Sequence, residues 1–411
     1  MAATNDNSNN EITFWLKDVF KNENLKVNVL GNSEKGDGYM GDVVFVTAEG
    51  TGDDNSKKKY DLVLKCSKKS QALRDSSPVK QIFLNEIYMY QTVFPYFIQF
   101  QKENGVKVPF NNIPKCYGSF IGENMEVIVL ENLKSSGYEL WPKGNPLSRK
   151  HIDMVVTQYG KFHGTSLAMQ NQRPAEFQNF VDTTVNFFKD HEMKDAIKTL
   201  YSIPIDQAYE VLKDDLQANI LQKWKGLKDQ VDSIFGNRPE NLPGVKVISH
   251  GDCWNNNFMY LHQKSVEKIP VNVAFLDWQV ARYSSPVMDI SYFLFCCISK
   301  DDLEELDDIL VTYHKAFINQ LKQLGVKDPH VVYPLRQLLN DWKSYSKFGI
   351  LSANLVLKIL SAEKDEVMDI GDVAETGKNF TAAFHNEVRD KENYKRRIRP
   401  IVEYAVKHDL V

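Results

Sequence analysis

The sequence has no hydrophobic run that approaches the roughly eighteen residues needed to cross a bilayer. Its first ten residues are polar and rich in Asn, without the basic and apolar regions of a signal peptide. Cysteine is scarce and odd in number, and no spacing matches a zinc site among the five residues Cys66, Cys116, Cys253, Cys296 and Cys297. We therefore expect reduced thiols in a soluble, cytoplasmic protein with no membrane partner.

An excess of one charge is also lacking. The net charge is −4, and the basic runs at residues 57–59 and 395–397 are short and far apart. This pattern excludes an extended nucleic-acid or membrane-surface footprint, and it predicts that both runs are solvated. Nothing points to an obligate protein partner. A chain of 411 residues can bury a large core, divided into two or three domains or lobes.

The hydrophobic pattern changes along the chain from mixed to mostly helical. An amphipathic helix is predicted over residues 11–22, and a second helix is predicted to open with Ser77 as N-cap and Pro78 in its first turn and to run to about Val93. Strands are predicted at residues 27–30, 43–48, 60–66, 116–120 and 127–130. Beyond them, helices are predicted over residues 149–169 and 301–324, which indicates an α+β fold.

Two β-rich apolar segments end in or just before aspartates. Residues 245–248 lead to Asp252, with Asn257 five positions later, and residues 273–276 lead directly to Asp277. A lone Asp there is usually a turn or cap residue. The acid, amide and acid together favour phosphoryl transfer, because Mg²⁺ takes a few hard oxygen ligands and completes its shell with water and phosphates. Asp252 is the candidate base, and Asn257 and Asp277 are the candidate Mg²⁺ ligands, at the ends of a short hairpin.

Lys65 and Glu86 form the next candidate pair. Lys65 closes a β-rich run, while Glu86 lies in the apolar stripe of the predicted helix. A buried carboxylate is costly unless it is paired, so Lys65 is its expected partner and a candidate ligand for nucleotide phosphates. In the alternative interpretation, Lys65 extends to solvent and Glu86 lies at the edge of the stripe.

The glycines Gly36, Gly38 and Gly41 match G-x-G-x-x-G, a weak motif that dinucleotide folds and kinases share. A dinucleotide fold needs a helix at the last glycine, whereas residues 42–47 are β-branched and strand-like. A hairpin that lays backbone amides over phosphates fits better than a dinucleotide-binding turn. A flexible surface loop is the alternative.

Three further residues are expected to act in the structure. Asp289 follows Pro286 and is predicted to be an N-cap or a buried acceptor. His163 is predicted to be a hydrogen-bonded core histidine, and His250 to support the loop before Asp252.

The run His250-Gly251-Asp252-Cys253-Trp254-Asn255-Asn256-Asn257-Phe258-Met259, followed by Leu276-Asp277-Trp278-Gln279, resembles the phosphotransferase signature shared by aminoglycoside and choline kinases. The Trp after the Asp and the Met after the Asn are most similar to the ecdysteroid kinase-like group of insects. The resemblance covers roughly residues 25–380. It implies a two-lobed, protein-kinase-like fold that binds ATP and Mg²⁺ between the lobes and phosphorylates a small-molecule hydroxyl.

The resemblance also implies roles and boundaries. Residues 1–24 would form a tail and helix, 25–133 a small β-rich N-lobe, and 134–411 a larger, mostly helical C-lobe. Asp252 would be the base, Asn257 and Asp277 the metal ligands, and Lys65 with Glu86 the phosphate-anchoring pair. Backbone groups of the interlobe hinge would meet adenine, at Glu131, Asn132 and Leu133.

The chain departs from protein kinases at two places. Gly251 stands where those enzymes carry Arg before the catalytic Asp, and eleven residues separate Asp277 from Asp289. This leaves no room for a regulated activation loop, and no A-P-E sequence is present. Protein substrates are therefore not expected.

Three functions remain open at this point. The first is a kinase for an alcohol such as an ecdysteroid or a detoxification metabolite. The second is a choline or ethanolamine kinase, which needs an acidic and aromatic cage, and the third is a catalytically silent scaffold. An acceptor pocket is expected within residues 150–240 and 335–380. Five aromatic residues could line it but are expected to be core: Phe162, Phe177, Phe180, Phe187 and Phe188.

Overall fold

In the computed structural model, the first lobe is built on one antiparallel sheet. The structure describes residues 2–33, 40–51, 56–184, 191–236, 243–362 and 368–411. The sheet has the strand order β1-β2-β3-β5-β4. Its strands are β1 (Lys26–Asn32), β2 (Gly41–Thr51), β3 (Lys57–Ser67), β4 (Cys116–Gly122) and β5 (Met125–Glu131). All five predicted strands are confirmed, each longer than its apolar pattern, because ladder hydrogen bonds continue past the buried residues.

Four helices complete the first lobe and its connection to the second: α1 (Ala2–Phe20), α2 (Gln71–Ser76), α3 (Val79–Tyr88) and α4 (Phe94–Glu103). Helix α1 contributes Trp15 and Leu16 to a core that includes Leu62 and Leu64 of β3. It begins at Ala2, earlier than predicted, since a helix that has formed extends by one hydrogen bond per residue even without an apolar face.

The start of α3 corrects one prediction. Its N-cap is Pro78, and Ser77 does not cap it. Ser77 instead ends α2, which the sequence pattern did not predict, and its hydroxyl donates to the Leu73 carbonyl at 2.6 Å. A π-helical turn over Met89–Val93 then joins α3 to α4, so the helical path passes the predicted end.

The second lobe is mostly helical, which confirms the two-lobed α+β prediction. Its helices are α5 (Arg149–Gln172), α6 (Pro174–Thr183), α7 (His191–Leu212), α8 (Ala218–Lys225), α9 (Val231–Gly236), α10 (Pro286–Cys297), α11 (Lys300–Glu304), α12 (Leu306–Gln323), α13 (Pro329–Val332), α14 (Leu335–Leu360), α15 (Ile370–Glu375) and α16 (Lys391–Lys407). The predicted helix over 301–324 is two helices that meet at Glu305. Helix α5 packs on α12, and α10 packs on α14.

Short strands in the second lobe carry the acidic loops: β6 (Glu139–Leu140), β7 (Val247–Ser249), β8 (Phe258–His262), β9 (Pro270–Phe275) and β10 (Arg282–Ser284). Strands β8 and β9 form an antiparallel hairpin in which Phe258 faces Phe275. Strand β10 pairs with β7, so the segment after Asp277 returns to the strand before Asp252.

The predicted aromatic core is confirmed where the structure describes it. Phe162, Phe177 and Phe180 are at most 3% exposed. Phe187 and Phe188 lie outside the described residues. All five cysteines are free thiols. Within the described ranges, no helix combines the length and hydropathy needed to cross a membrane.

Candidate functional site

The loop that carries Asp252 makes a turn that only glycine fits. Gly251 has a φ of +87°, in the left-handed region, and a Cβ there would lie 2.5 Å from the Val280 carbonyl oxygen and 2.9 Å from the Arg282 guanidinium. A side chain at position 251 would therefore be strained and would collide with the following segment. This explains why Gly stands before Asp252.

Asp289 anchors the same loop from the core. Its Oδ2 accepts the His250 amide at 2.6 Å, and its Oδ1 accepts the Gly251 amide at 2.9 Å. His163, itself buried, contacts Oδ2 at 3.1 Å and the Tyr313 hydroxyl at 3.0 Å. Burial opposes the charge of Asp289, but these donors hold its pKa below the ordinary value. The buried-acceptor prediction for Asp289 and the core prediction for His163 are confirmed, and the N-cap of α10 is Ser285.

His250 supports the loop in the way the sequence predicts. Its Nε2 contacts the Leu276 carbonyl at 2.8 Å, and its Nδ1 contacts the Asp252 amide at 3.1 Å. A carbonyl only accepts and an amide only donates, so the ring is assigned a proton on Nε2. One imidazole thus joins the two loops that carry the acids.

Three donors hold the Asp252 carboxylate. Tyr292 donates its hydroxyl to Oδ1 at 2.9 Å, while Oδ2 accepts from Asn257 Nδ2 at 2.8 Å and from Trp254 Nε1 at 3.2 Å. Burial and the nearby Asp277 carboxylate raise the pKa of Asp252 above its ordinary value, against the effect of these donors. A half-buried carboxylate with a raised pKa suits a general base.

Asn257 and Asp277 lie at the end of the β8–β9 hairpin, as predicted. The Leu276 amide donates to the Asn257 carbonyl at 2.9 Å. Asn257 Nδ2 donates hydrogen bonds to Asp252, so Oδ1 of Asn257 is the atom suited to a metal ion. Asp277 has a φ of +62°, uncommon for a residue other than Gly, and its side chain is 25% exposed. Such backbone strain is typical of functional sites.

Lys65 lies between two carboxylates. Its Nζ is 2.6 Å from Glu86 Oε2 and 2.6 Å from Asp277 Oδ1. Burial alone would lower the pKa of Lys65, but Asp277 and Glu86 raise it above the ordinary value, so the ammonium stays charged. The predicted Lys65–Glu86 pair is present, and the solvent-exposed alternative is wrong because the Lys65 side chain is only 12% exposed.

Helix α3 also clamps the segment after Asp277. The Trp278 backbone amide donates to Glu86 Oε1 at 3.2 Å, and the Asn85 side-chain Nδ2 donates to the carbonyls of Gln279 and Ala281 at 3.0 and 2.9 Å. Two neighbouring residues of one helix therefore fix both the lysine and the loop that carries Asp277.

The donor set fits Mg²⁺ held together with a nucleotide. In the parts of the chain that the structure describes, no cluster of three or more His, Cys, Asp or Glu could hold a metal. Asn257 and Asp277 would supply two oxygen ligands and leave the other positions to water and phosphate, as Mg²⁺ commonly requires. Other metal sites normally take more ligands from the protein.

The structure describes one of the three glycines that were predicted to lie over the phosphates. Gly36 and Gly38 lie outside the described residues; Gly41 begins β2, where a Cβ would meet the Cys66 carbonyl at 2.5 Å. Strands β1 and β2 do pair as a hairpin. At the predicted hinge, the backbone amides of Glu131 and Asn132 already donate to the carbonyl oxygens of Lys115 and Asp61. Adenine would have to use other backbone groups there, such as those of Leu133.

Sequence reasoning missed Tyr292, Trp254 and Asn85. Tyr292 had a usable signal, since it follows Asp289 by three positions on α10 and side chains three apart share a helix face. Trp254 lies within the acid-bearing loop itself. Asn85 carried no pattern that separates it from other helix residues.

Comparison with known proteins agrees with this geometry. The model of the ecdysteroid kinase-like family matches residues 35–326, about seven tenths of the chain. No curated protein matches the chain. The matched range includes both acid-bearing loops, Lys65 and Glu86. The chain belongs to the ecdysteroid kinase-like family.

Proposed function

We propose that this protein, a member of a kinase-like phosphotransferase family, uses ATP and Mg²⁺ to phosphorylate an alcohol hydroxyl of a small molecule, such as an ecdysteroid or a detoxification metabolite. One observation carries the proposal. Direct hydrogen bonds and ion pairs connect Asp252 to Asn257 and Asp277 to Lys65, and His250 joins the two loops. The residues proposed as the base, the metal ligands and the phosphate-binding cation are thereby close together.

Asp252 would take the proton of the acceptor hydroxyl. The hydroxyl oxygen forms a bond to the terminal phosphorus of ATP as the bridging oxygen–phosphorus bond breaks, which gives a phosphate monoester and ADP. Among the described residues, Oδ1 of Asp252 accepts the Tyr292 hydroxyl alone, whereas Oδ2 accepts two donors. Oδ1 is therefore the oxygen with capacity for the substrate proton.

Asn257 and Asp277 would hold Mg²⁺, which offsets negative charge on the phosphates. Lys65 would bind the phosphates while Glu86 keeps it in place. Only Oδ1 of Asp277 contacts Lys65, so Oδ2 would be the oxygen for the metal ion. Glu86 is almost fully buried and would remain the partner of Lys65 when phosphates bind.

The acceptor would approach from the side of Tyr292. The Phe348 ring lies 6.0 Å from the Tyr292 ring, and Phe235 lies 5.4 Å from Phe348. Phe348 also borders a cavity of about 250 Å³ that Lys343 and Lys347 line. None of the described residues that line this cavity is acidic, whereas a choline site needs carboxylates around its ammonium. This favours an uncharged or anionic alcohol over choline or ethanolamine.

We also propose the boundary of the lobes near residue 133, just after β5, and a cytoplasmic location. The free state of all five cysteines agrees with a reducing compartment.

A thermal-shift measurement tests the nucleotide site. Wild type should be stabilised by ATP plus Mg²⁺, by about 2.7 kcal/mol at a hundredfold excess over Kd. Asp277→Asn should lose the magnesium-dependent part of the shift. If neither protein responds, the silent scaffold is the function to pursue.

An activity screen tests the chemistry. Steroid, choline and glycoside alcohols would be incubated with ATP and Mg²⁺, and their phosphate esters would be measured by mass spectrometry. Asp252→Asn should lower turnover at least about 10²-fold while it retains the nucleotide-dependent thermal shift. Normal turnover in this variant would exclude Asp252 as the base, and phosphorylation of choline alone would favour the choline kinase function.

A further inference from the structure

A cavity of about 480 Å³ lies between the lobes, apart from the phosphoryl-transfer residues. Its walls come from the start of α4, the segment 111–116, the end of β5 with the predicted hinge, and β9. Lys65, Asp252, Asn257 and Asp277 do not line it. The volume is typical of a small-molecule site. Its apolar walls include Phe94, Ile98, Ile113, Leu133 and Ala274.

Two phenol groups at this cavity have no acceptor among the described residues: the buried Tyr90 and the partly exposed Tyr138. Tyr90 is 4% exposed, and its buried hydroxyl has no hydrogen-bond partner among the described residues. The Tyr138 hydroxyl accepts from Asn272 Nδ2 at 2.7 Å but donates to no group in the described part of the chain. A buried hydroxyl without a partner is costly, which points to an acceptor that the chain itself does not supply.

Apart from the exposed Asn111, the other polar side chains of the wall are already engaged. Asn112 Nδ2 donates to Asn272 Oδ1 at 2.8 Å and to the Val273 carbonyl at 2.7 Å. At the rim, Glu131 accepts from the Ser136 hydroxyl and the Lys115 amide, and the Lys115 ammonium lies over the Tyr117 ring at 4.6 Å.

The remaining titratable group of the wall is uncharged at neutral pH. Burial raises the pKa of the Cys116 thiol to about 11. The cavity therefore offers apolar walls and two hydroxyl donors, with its charged groups engaged at the rim.

We propose that this cavity is a second ligand site, for a neutral, mainly apolar molecule whose carbonyl or ether oxygen accepts from Tyr90 and Tyr138. The site does not depend on the proposed reaction. It does adjoin the nucleotide site, because Tyr90 follows Glu86 by one helical turn and Leu133 belongs to the predicted hinge.

A matched pair of probes tests the site on the full chain. Acetophenone carries a carbonyl oxygen, and ethylbenzene has the same shape without an acceptor. Ligand-observed NMR titration should show millimolar binding of acetophenone. Tyr90→Phe should weaken that binding about 5- to 10-fold, the effect of one hydrogen bond, and should leave ethylbenzene unchanged. Tyr88→Phe is the control, since the Tyr88 hydroxyl contacts the Asn179 carbonyl and does not line the cavity.

A separate variant, Asn111→Trp, tests whether the probes bind in this cavity. Asn111 is an exposed residue of the cavity wall, and a Trp side chain there should block the binding of both probes. Thermal melting of each variant would check that it folds. The proposal is overturned if acetophenone does not bind, if Tyr90→Phe affects both probes equally, or if both probes still bind to Asn111→Trp. No nucleotide is present in these titrations, so their failure would leave the proposed kinase activity intact.

Discussion

The two carboxylate oxygens of Asp252 accept different numbers of hydrogen bonds. Oδ2 is held by Asn257 and Trp254, both within the same loop, whereas Oδ1 is held by Tyr292 from helix α10. Tyr292 is thus a positioning residue that acts through Asp252. Its hydroxyl stabilises the charged carboxylate and opposes the rise in pKa that burial and Asp277 produce.

Replacement of Tyr292 by Phe should therefore make the reaction more sensitive to acid. Loss of a donor to the charged form raises the pKa of Asp252 further, and the base works only when it is deprotonated. Activity is lost as pH falls through this pKa, so the acidic limb of the kcat profile should move to higher pH, by up to about one unit. The measurement is the pH–rate profile of both proteins with the alcohol that the screen identifies.

Tyr283→Phe is the matched control for this prediction. The Tyr283 hydroxyl accepts from Gln170 and does not contact Asp252, so its profile should follow that of wild type. A Tyr292→Phe profile with an unchanged acidic limb would show that the hydroxyl has no influence on the base.

The sequence predicted the charged residues of the site better than their neutral supports. A carboxylate or ammonium next to a buried apolar run is costly unless it is paired or functional. Four residues could be recognised for this reason: Asp252, Asp277, Lys65 and Glu86. Tyr292 and Asn85 are uncharged, and Tyr and Asn are common on helices for other reasons. Their contacts span 40 and more than 190 residues of sequence, beyond any local pattern.

At the scale of elements, close contact between α10 and α14 supports Asp289, the α10 residue that holds the loop before Asp252. A Cβ on Gly349 of α14 would lie 2.3 Å from the Ser291 carbonyl carbon on α10. This distance is too short for any side chain, and α10 also carries Asp289 and Tyr292. The glycine therefore determines how closely the supporting helices pack.

Gly349→Ala should destabilise the protein, since overpacking of a tight contact typically costs about 1–3 kcal/mol. Gly226→Ala is the control because a Cβ at Gly226 would meet nothing within 4 Å and its backbone is right-handed helical. That change should be neutral or stabilise by up to about 1 kcal/mol. Urea unfolding of both variants measures the difference, and equal stabilities would contradict the packing argument.

The elements themselves were predictable where one face is buried. In β3, alternating burial follows the apolar residues Leu62, Leu64 and Cys66, whereas β2 was predictable from its continuous β-branched and aromatic run. The amphipathic stripe of α5 predicted the position of that helix. The break at Glu305 and helix α2 were missed. The first interrupts an unbroken apolar pattern, and the second buries only Leu73 and so has almost no stripe to detect.

At the scale of the whole molecule, the second lobe contacts the first near the β1–β2 hairpin. Lys68 Nζ, just after β3, is 2.7 Å from Asp369 Oδ2 and 3.2 Å from Asp42 Oδ1. Burial alone would lower the pKa of Lys68, but Asp369 and Asp42 raise it. Ser70 also donates to Glu375 of α15. Contacts about 300 residues apart carry no sequence pattern, so this connection could not have been predicted.

A double-mutant cycle with Lys68→Met and Asp369→Asn should give a coupling of about 1 kcal/mol in the free energy of unfolding. These side chains are 12% and 26% exposed. The control pair Lys213–Glu210, at 48% and 62% exposure, should give a clearly smaller coupling because solvent screens it. Equal couplings in the two cycles would mean that the interlobe pair is no stronger than a surface one.

The short segment between Asp277 and Asp289 is fixed at several points. Asn85 holds two of its carbonyls, β10 pairs it with β7, and Asp289 binds the loop before Asp252. In switchable kinases such a segment becomes ordered only after modification. Here hydrogen bonds and strand pairing hold the segment in place without any modification. Under the proposed function, activity would therefore need no activating modification and would follow the amounts of protein and acceptor.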